Sequence, residues 1–255
     1  MEAYVELAVA YESEHNLKAA AENYRKALEM DPKLTMVRYD LARTLAQLGD
    51  PQQAREQYEQ VIREDPDLPE AHNNLASLLA QQGQVARAVE EYQNAIRARP
   101  IYAEAHNNLG HLYLDQGRWQ DARAALEEAL RSDSCLAAAH NTYGILEARQ
   151  NRTTEALAQF GRAIQCDPDF PEAHYNFGTA FLAQGNAGRA AGEFRRAVQL
   201  DASNASAHLG LGMALAESGQ LQAAAAEVRE ALRLRPGYPE AQRELRALEK
   251  APAER

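Results

Sequence analysis

A repeat of 34 residues runs along almost the whole chain and constrains its fold more than any other feature. Seven copies in register begin at residues 1, 35, 69, 103, 137, 171 and 205, and they occupy residues 1–238. A fixed period of this length indicates a repeat architecture, so it overrides the one or two globular domains that 255 residues would otherwise suggest. The third copy shows the recurring skeleton: Leu75, Ala76, Leu79, Gly83, Ala88, Tyr92, Ala95 and Pro100.

Each copy predicts two helices joined by a short turn. Apolar residues recur at helical spacing in the first half, and a glycine then supplies the left-handed backbone conformation that such a turn needs. Asn151 replaces this glycine in the fifth copy and His15 replaces it in the first. Small residues at fixed positions of both helices predict close helix packing. Proline follows the second helix in five copies and stops it: Pro32, Pro66, Pro100, Pro168 and Pro236.

Composition excludes several classes of function. The formal net charge of −10, without a basic cluster, argues against a nucleic-acid partner. No apolar run approaches the roughly 18 residues of a membrane helix, and no signal peptide precedes the repeats. We therefore expect a cytoplasmic protein without membrane insertion. Nucleotide-binding, metalloprotease and hydrolase motifs are absent, which predicts a non-enzymatic protein without a cofactor.

The pattern resembles the tetratricopeptide repeat, whose unit is a 34-residue helix-turn-helix. The resemblance implies an all-α fold, a right-handed superhelical solenoid of stacked hairpins whose first helices line a concave groove. It also implies a scaffold that binds a protein or an extended peptide in that groove. We divide the chain into seven repeats, a capping helix at 239–250 and a frayed tail at 251–255, the repeats being 1–34, 35–68, 69–102, 103–136, 137–170, 171–204 and 205–238.

Family analogy assigns the groove to the second, fifth, sixth, ninth, twelfth and thirteenth positions of each repeat. These positions are acidic at the start of the chain, polar in the middle and apolar near the end. The candidate peptide-binding residues are Tyr39, Arg43, Asn73, Asn74, Ser77, Asn107, Asn108, His111, Asn141, Tyr175, Asn176, Thr179, Leu209 and Met213.

Asparagine recurs at the sixth position, as Asn74, Asn108 and Asn176. Asparagine is a mediocre helix former, and its amide matches the donors and acceptors of an extended peptide backbone. The run resembles the asparagine ladder in the repeat domain of O-linked N-acetylglucosamine transferases, although Thr142 and Gly210 interrupt it. Hydrogen bonding between neighbouring helices is the competing interpretation, and the sequence leaves both open.

Two other functions remain as alternatives. In the first, the chain is the substrate-presenting domain of a larger glycosyltransferase-type enzyme. In the second, it self-associates through its terminal repeats. The second alternative rests on the first helix, where Tyr4, Leu7, Ala8 and Tyr11 have no preceding repeat to cover them.

Histidine recurs in repeats three to seven, and we expect a structural role inside each repeat because successive first helices lie about 10 Å apart, too far to share one metal ion. Cys135 and Cys166 lack a metal or redox spacing, so we expect two reduced thiols; their places at second-helix ends of successive repeats leave a contact as the alternative. Repeat five, with Glu147 at an apolar position and Asn151 in the turn, is expected to open first. The histidines are His72, His106, His140, His174 and His208.

Overall fold

A computed structural model describes residues 1–250, which form fifteen α-helices and no strand. The all-α repeat fold predicted from the period is therefore confirmed. The helices are α1 Glu2–Ser13, α2 Leu17–Met30, α3 Thr35–Gln47, α4 Pro51–Glu64, α5 Pro69–Gln81, α6 Val85–Ala98, α7 Ala103–Asp115, α8 Trp119–Ser132, α9 Ala137–Arg149, α10 Thr153–Cys166, α11 Pro171–Ala183, α12 Ala187–Leu200, α13 Ala205–Glu217, α14 Leu221–Leu234 and α15 Pro239–Lys250.

The chain divides into two compact units. The first comprises Met1–Ser132 with helices α1 to α8, and the second begins at Asp133 and contains α9 to α15. Within each unit, consecutive helices pack as antiparallel pairs, and the pairs stack on one another. None of the helices in residues 1–250 combines the length and the apolar character that a membrane crossing requires. The predicted tail at 251–255 lies outside the described residues.

The turn inside each hairpin has the backbone conformation that the glycine pattern predicts. Five glycines have φ between 70° and 77°, and the two replacements follow them, with φ of 57° at His15 and 59° at Asn151. Asparagine tolerates this region better than most residues with a side chain. The helix ends before the proline position are unchanged in the two copies that carry Ser134 and Ala202 instead, so the proline is not required for the helix to stop.

Small residues form the helix contacts. The second-helix alanines from Ala20 to Ala224 are fully buried in all seven copies, and the small residue at position eight of each copy is buried too. In the fifth copy that residue is Gly144, where an added Cβ would lie 2.5 Å from Cε1 of Phe160. Tyr24 and the equivalent aromatic residues lie in the core as expected, whereas Trp119 is only half-buried.

The two ends of the chain differ in how they cover apolar surface. At one end, α15 buries Ala241 and packs Leu245 and Leu248 against the core of the last hairpin, as a capping helix is expected to do. At the other end, Leu7 is 46% exposed, whereas its equivalent Leu75 is 1% exposed. Self-association through this uncovered face stays a prediction.

The recurring histidines have the expected structural role. Each Nε2 lies within hydrogen-bonding distance of a carbonyl oxygen six residues earlier, in the turn before its helix. In three copies Nδ1 also contacts a glutamate of the second helix, and for His72 this partner is Glu91 at 2.6 Å. Since both partners of His72 are acceptors, the arrangement favours the doubly protonated ring.

The pKa values of this pair move in opposite directions. Burial alone would lower the pKa of His72, but its hydrogen bonds to Glu91 and to the carbonyl of Pro66 outweigh burial and raise it above the ordinary value of 6.5. Burial alone would raise the pKa of Glu91, but hydrogen bonds from His72 and Asn94 lower it below 4.5. The pair therefore stabilises the fold most when both groups are charged.

We predict that the stability contributed by the His72–Glu91 pair decreases as pH rises. Because the pKa of His72 is raised in the folded state, its contribution is complete below pH 6.5 and disappears as pH rises through the folded value. Replacing Glu91 by Gln should cost about 1.5–3 kcal/mol at pH 6 and less at pH 9, since it removes a charged hydrogen bond. Urea unfolding of both proteins across this range measures the difference, and parallel stability curves would contradict the prediction.

The expectation of two reduced thiols is wrong. Cys135, in the turn before α9, and Cys166, the last residue of α10, form a disulfide with an S–S distance of 2.04 Å. Their separation of 31 residues brings them to the same end of one hairpin, where the Cα atoms are 5.3 Å apart. Disulfides are typical of oxidising compartments, so the cytoplasmic location stays a prediction that this bond does not support.

Repeat five has further support at the positions where the sequence looked weak. Glu147 is 4% exposed, and its carboxylate accepts a hydrogen bond from Nε of Arg152. This ion pair accounts for a charged residue at an apolar position, because a buried charge is tolerated when it is paired. Early opening of this repeat stays a prediction, and the disulfide opposes it.

We predict that the disulfide makes local opening of the α9–α10 hairpin less frequent. Closing a loop of about 31 residues restricts the unfolded chain and stabilises the fold by roughly 3–4 kcal/mol in the chain-entropy model. We expect the amides of α9 and α10 to exchange hydrogen faster in the Cys135→Ser, Cys166→Ser variant, whereas those of α5 and α6, which have no disulfide, serve as the internal control. Equal exchange of α9 and α10 in the variant and the oxidised wild type would show that the bond adds no local stability.

Candidate functional site

The first-helix residues predicted for the groove border three cavities. Cavity 1 has about 570 Å³ and cavity 2 about 500 Å³, and both lie in the first unit. Cavity 3 has about 590 Å³ and lies in the second unit. We call the surface that borders these cavities the groove face of each unit. Of the fourteen candidate residues, those that line a cavity are Arg43, Asn74, Ser77, Asn107, Asn108, His111, Tyr175, Thr179, Leu209 and Met213.

An internal ion-pair cluster occupies the groove face of the first two repeats. The carboxylate of Glu12 accepts hydrogen bonds from Arg43 Nη2 at 3.0 Å, Thr44 Oγ1 at 2.7 Å and Tyr24 OH at 3.1 Å. Arg43 also contacts Asp40 at 3.4 Å. Burial raises the pKa of Asp40, and Arg43 partly opposes this effect. The acidic residues predicted at the groove positions of the first two repeats are therefore partly neutralised by Arg43, which contacts the carboxylates of both Glu12 and Asp40.

The sixth-position asparagines form hydrogen bonds between neighbouring first helices. Nδ2 of Asn74 donates to Tyr39 OH at 3.0 Å, and Nδ2 of Asn108 donates to Asn73 Oδ1 at 3.1 Å. In the second unit, Nδ2 of Asn176 donates to Asn141 Oδ1 at 2.9 Å. The partner is the fifth-position residue of the preceding repeat in all three cases. These contacts match the helix-bridging interpretation of the asparagines.

The same asparagines keep part of their amide towards the groove face. Asn74 and Asn108 are half-buried, and each uses one of two N–H groups in its bridge to the preceding helix. The fifth-position asparagines differ from them, since Asn73, Asn107 and Asn141 are all buried. Tyr39 is half-buried, and burial raises the pKa of its hydroxyl, which therefore stays protonated at neutral pH. The bridges consequently fix the orientation of half-exposed amides on a rigid helical surface.

Cavity 2 is lined by Asn107, whose side-chain oxygen is buried and has no partner within residues 1–250. Asn107 is 8% exposed, and its Oδ1 has no hydrogen-bond donor within residues 1–250. The cavity is also lined by Ser77, whose hydroxyl hydrogen-bonds Tyr92 OH at 2.9 Å, and by the exposed His111. Buried polar groups are nearly always paired, so this oxygen marks a place where a donor is missing.

Cavity 3 is the most apolar of the three. Phe194 and Leu209 form its floor, and Tyr175 lies against Phe194 with ring centroids 5.8 Å apart. Met213, 37% exposed, and Thr179 lie at its edge. Tyr175, Leu209 and Met213, three of the candidate groove residues, thus line one cavity.

Helix α15 also lines cavity 3, which the sequence reasoning missed. The sequence predicts a capping helix at 239–250, and the groove positions taken from the family apply there only to the seven repeats. Counted from Pro239 as the first position, the lining residues fall at positions two, five, six and nine of an eighth repeat. The same spacing rule would have found them, and they are Glu240, Arg243, Glu244 and Ala247.

The described residues offer no constellation for metal chemistry. Within residues 1–250, no three side chains of His, Cys, Asp or Glu lie close enough to hold one metal ion. The recurring histidines instead contact turn carbonyls, and four of them also contact a second-helix side chain. The side chains that line the three cavities are amides, hydroxyls, apolar groups and a few charged groups, the kinds of group that pair with a polypeptide.

Comparison with solved structures gives the same fold. A tetratricopeptide repeat protein from Parabacteroides merdae matches with a TM-score of 0.74 and 17% identity, over 98% of each chain. The APC/C hetero-tetramer Cut9–Hcn1 matches with a TM-score of 0.81 and 15% identity over 91% of this chain, which spans 48% of that chain. YrrB, described as a TPR protein with an unusual peptide-binding site, matches with a TM-score of 0.54 and 22% identity, over 73% of this chain and 96% of its own. At these identities the likeness concerns the fold alone.

Comparison with curated protein sequences finds no match. Two family models do match, and both are described as tetratricopeptide repeats. One covers residues 2–34 and the other covers 39–103, 76–134, 107–171 and 175–239. Folds of this kind are generally interaction scaffolds. Since these matches span most of the sequence, the chain belongs to the tetratricopeptide repeat family.

Proposed function

We propose that this protein is a non-enzymatic scaffold that binds an extended peptide segment on its groove face. The observation that carries the proposal is the set of half-exposed asparagine amides, each held in place by a hydrogen bond to the preceding first helix. An amide offers donors and an acceptor to a peptide backbone. Because its orientation is already fixed, it loses little side-chain entropy when a ligand binds.

The orphan oxygen of Asn107 supports the same proposal. A buried acceptor without a donor costs about 1–3 kcal/mol, and a ligand N–H that pairs with it removes that cost. This atom belongs to a side chain that lines cavity 2, beside the half-exposed Asn108. The first unit therefore offers both a positioned amide and an acceptor that lacks a donor.

The contacts on this surface set the affinity that we expect. Within the first unit, the two amides of Asn74 and Asn108 contribute about 0.5–1.5 kcal/mol each, and one or two buried apolar side chains contribute about 1.5–3 kcal/mol each. After the costs of association and ordering, such a sum corresponds to binding no tighter than roughly micromolar. The substrate-presenting domain of a larger enzyme stays a second prediction, and no described contact favours it over a peptide-binding scaffold.

Two asparagine variants separate ligand contact from helix bridging. Peptides are first selected on the whole protein from a random dodecapeptide library, and their affinities are measured by fluorescence anisotropy. Asn108→Ala removes the half-exposed amide together with its bridge, and we expect a loss of affinity of about fivefold to tenfold, as for one good hydrogen bond. Asn73→Ala is the matched control, because it removes the buried acceptor of the same Asn108–Asn73 hydrogen bond and leaves the Asn108 amide in place.

The two variants give opposite answers for the two roles of the amide. If Asn73→Ala weakens the selected peptides as much as Asn108→Ala does, the amide acts only by bridging the helices. If neither variant changes the affinity, the asparagines are not part of the binding surface. Urea unfolding of both variants checks that they remain folded under the binding conditions.

A further inference from the structure

The asparagine pattern of the groove face ends at a glycine. Gly210 occupies the sixth position of repeat seven, where Asn74, Asn108 and Asn176 stand in their repeats. A Cβ at Gly210 would lie 2.5 Å from Cε1 of Phe194, so the packed ring leaves no room for a side chain there. The groove face is therefore deeper at this point, and the wall that an asparagine would form is missing.

The space at Gly210 is cavity 3, and it is built to take an apolar group. Its floor is Phe194, 1% exposed, and Leu209, 5% exposed. Leu182 and Met213 add flexible apolar walls. A volume of about 590 Å³ falls within the roughly 300–1,000 Å³ of ligand pockets, which is ample for one bulky side chain.

Helix α15 closes one side of cavity 3 and brings charge to its edge. Arg243 contacts Glu240 at 3.4 Å, so these two charges offset each other. Glu244 takes the sixth position of this segment, where repeats three, four and six carry an asparagine amide. It is half-buried and has no hydrogen-bond or ion-pair partner within residues 1–250. Among the charged side chains that line the cavity, Glu244 is therefore the one without a partner in residues 1–250.

We propose that cavity 3 binds a bulky apolar side chain of an extended peptide, next to a lysine or arginine of that peptide which pairs with Glu244. This inference rests on the proposed function and names the chemistry of the partner. Burial of an aromatic or large aliphatic side chain against the apolar floor is energetically favourable. The unpaired carboxylate beside it selects a cation, and the formal net charge of −10 attracts a basic segment from solution. Helix α15 thus sets specificity as well as capping the repeats.

A charge reversal at Glu244 tests this assignment. Random dodecapeptides displayed on phage are selected against the wild type and against Glu244→Lys. We expect wild-type selection to enrich Trp, Phe, Leu or Met within about three residues of Lys or Arg. Glu244→Lys should weaken those peptides at least tenfold and should enrich Asp or Glu beside the same apolar residue. Both proteins are checked by thermal unfolding, since a substitution on this helix surface should leave the fold intact.

Glu249→Lys is the matched control on the same helix. It makes the same charge change at a residue that does not line cavity 3, and it disturbs only an exposed pair with Arg229 at 3.6 Å. Such pairs contribute little stability. We expect the selected peptides to bind Glu249→Lys within twofold of the wild type. Equal weakening by both variants would assign the effect to net charge and overturn the proposal.

The same selection separates this inference from the proposed function. Peptides that lose affinity in Asn108→Ala but not in Glu244→Lys would support the asparagine surface and reject cavity 3 as the anchor site. Peptides with the opposite behaviour would support cavity 3 and reject the asparagine contacts. Enrichment of apolar residues without a basic neighbour would reject the role of Glu244, and a selection in which no peptide depends on either residue would reject both proposals.

Discussion

The contact between a small residue of the first helix and a large residue of the second helix determines how each hairpin closes. In repeats one to three the pair is alanine with a buried tyrosine, as in Ala8 and Tyr24. In later repeats it is glycine with phenylalanine, leucine or valine. At Gly144 and Gly212, an added Cβ would come within 2.5 Å of the partner side chain. Removing the methyl group lets a bulky partner fill the space between helices, which a densely packed interior requires.

This packing rule leaves the remaining first-helix positions for the surface. The second-helix alanines are buried at the same repeat positions in every copy. The hairpins of one unit therefore stack with equivalent faces in contact. Residues at the groove positions then follow one another from repeat to repeat. The rows of asparagines and the cavities beside them are consequences of the period. Under the proposed function, the few positions where the row changes set the binding chemistry.

Most of the fold could be predicted from the sequence because its determinants are local and repeated seven times. The left-handed turns at Asn151 and His15, the buried alanines and the structural histidines all follow from residue types at fixed positions. The disulfide could not be predicted in the same way. Whether Cys135 and Cys166 bond depends on the distance between two hairpin ends, and position in the repeat gives proximity but not bonding.

The candidate site was less predictable, for two physical reasons. An asparagine such as Asn108 can face a ligand or a neighbouring helix, and only the geometry shows that its amide reaches Asn73. Cavity 3 depends on the absence of a side chain at Gly210 and on a helix that completes the wall. A periodic pattern indicates which positions repeat, but an interruption of the pattern does not say what fills the space that it leaves.

Helix bridging and ligand binding by the asparagines are compatible, because an amide has more hydrogen-bonding groups than one bridge consumes. The bridge from Asn108 to Asn73 occupies one N–H and fixes the side chain in one orientation. A fixed amide on a half-buried helix surface is a better partner for an extended backbone than a freely rotating one, since less entropy is lost on binding. Under the proposed function, the hydrogen bond that stabilises two neighbouring helices also prepares the surface for a peptide. This second role would explain why asparagine, a residue of mediocre helix propensity, stands in the middle of a helix.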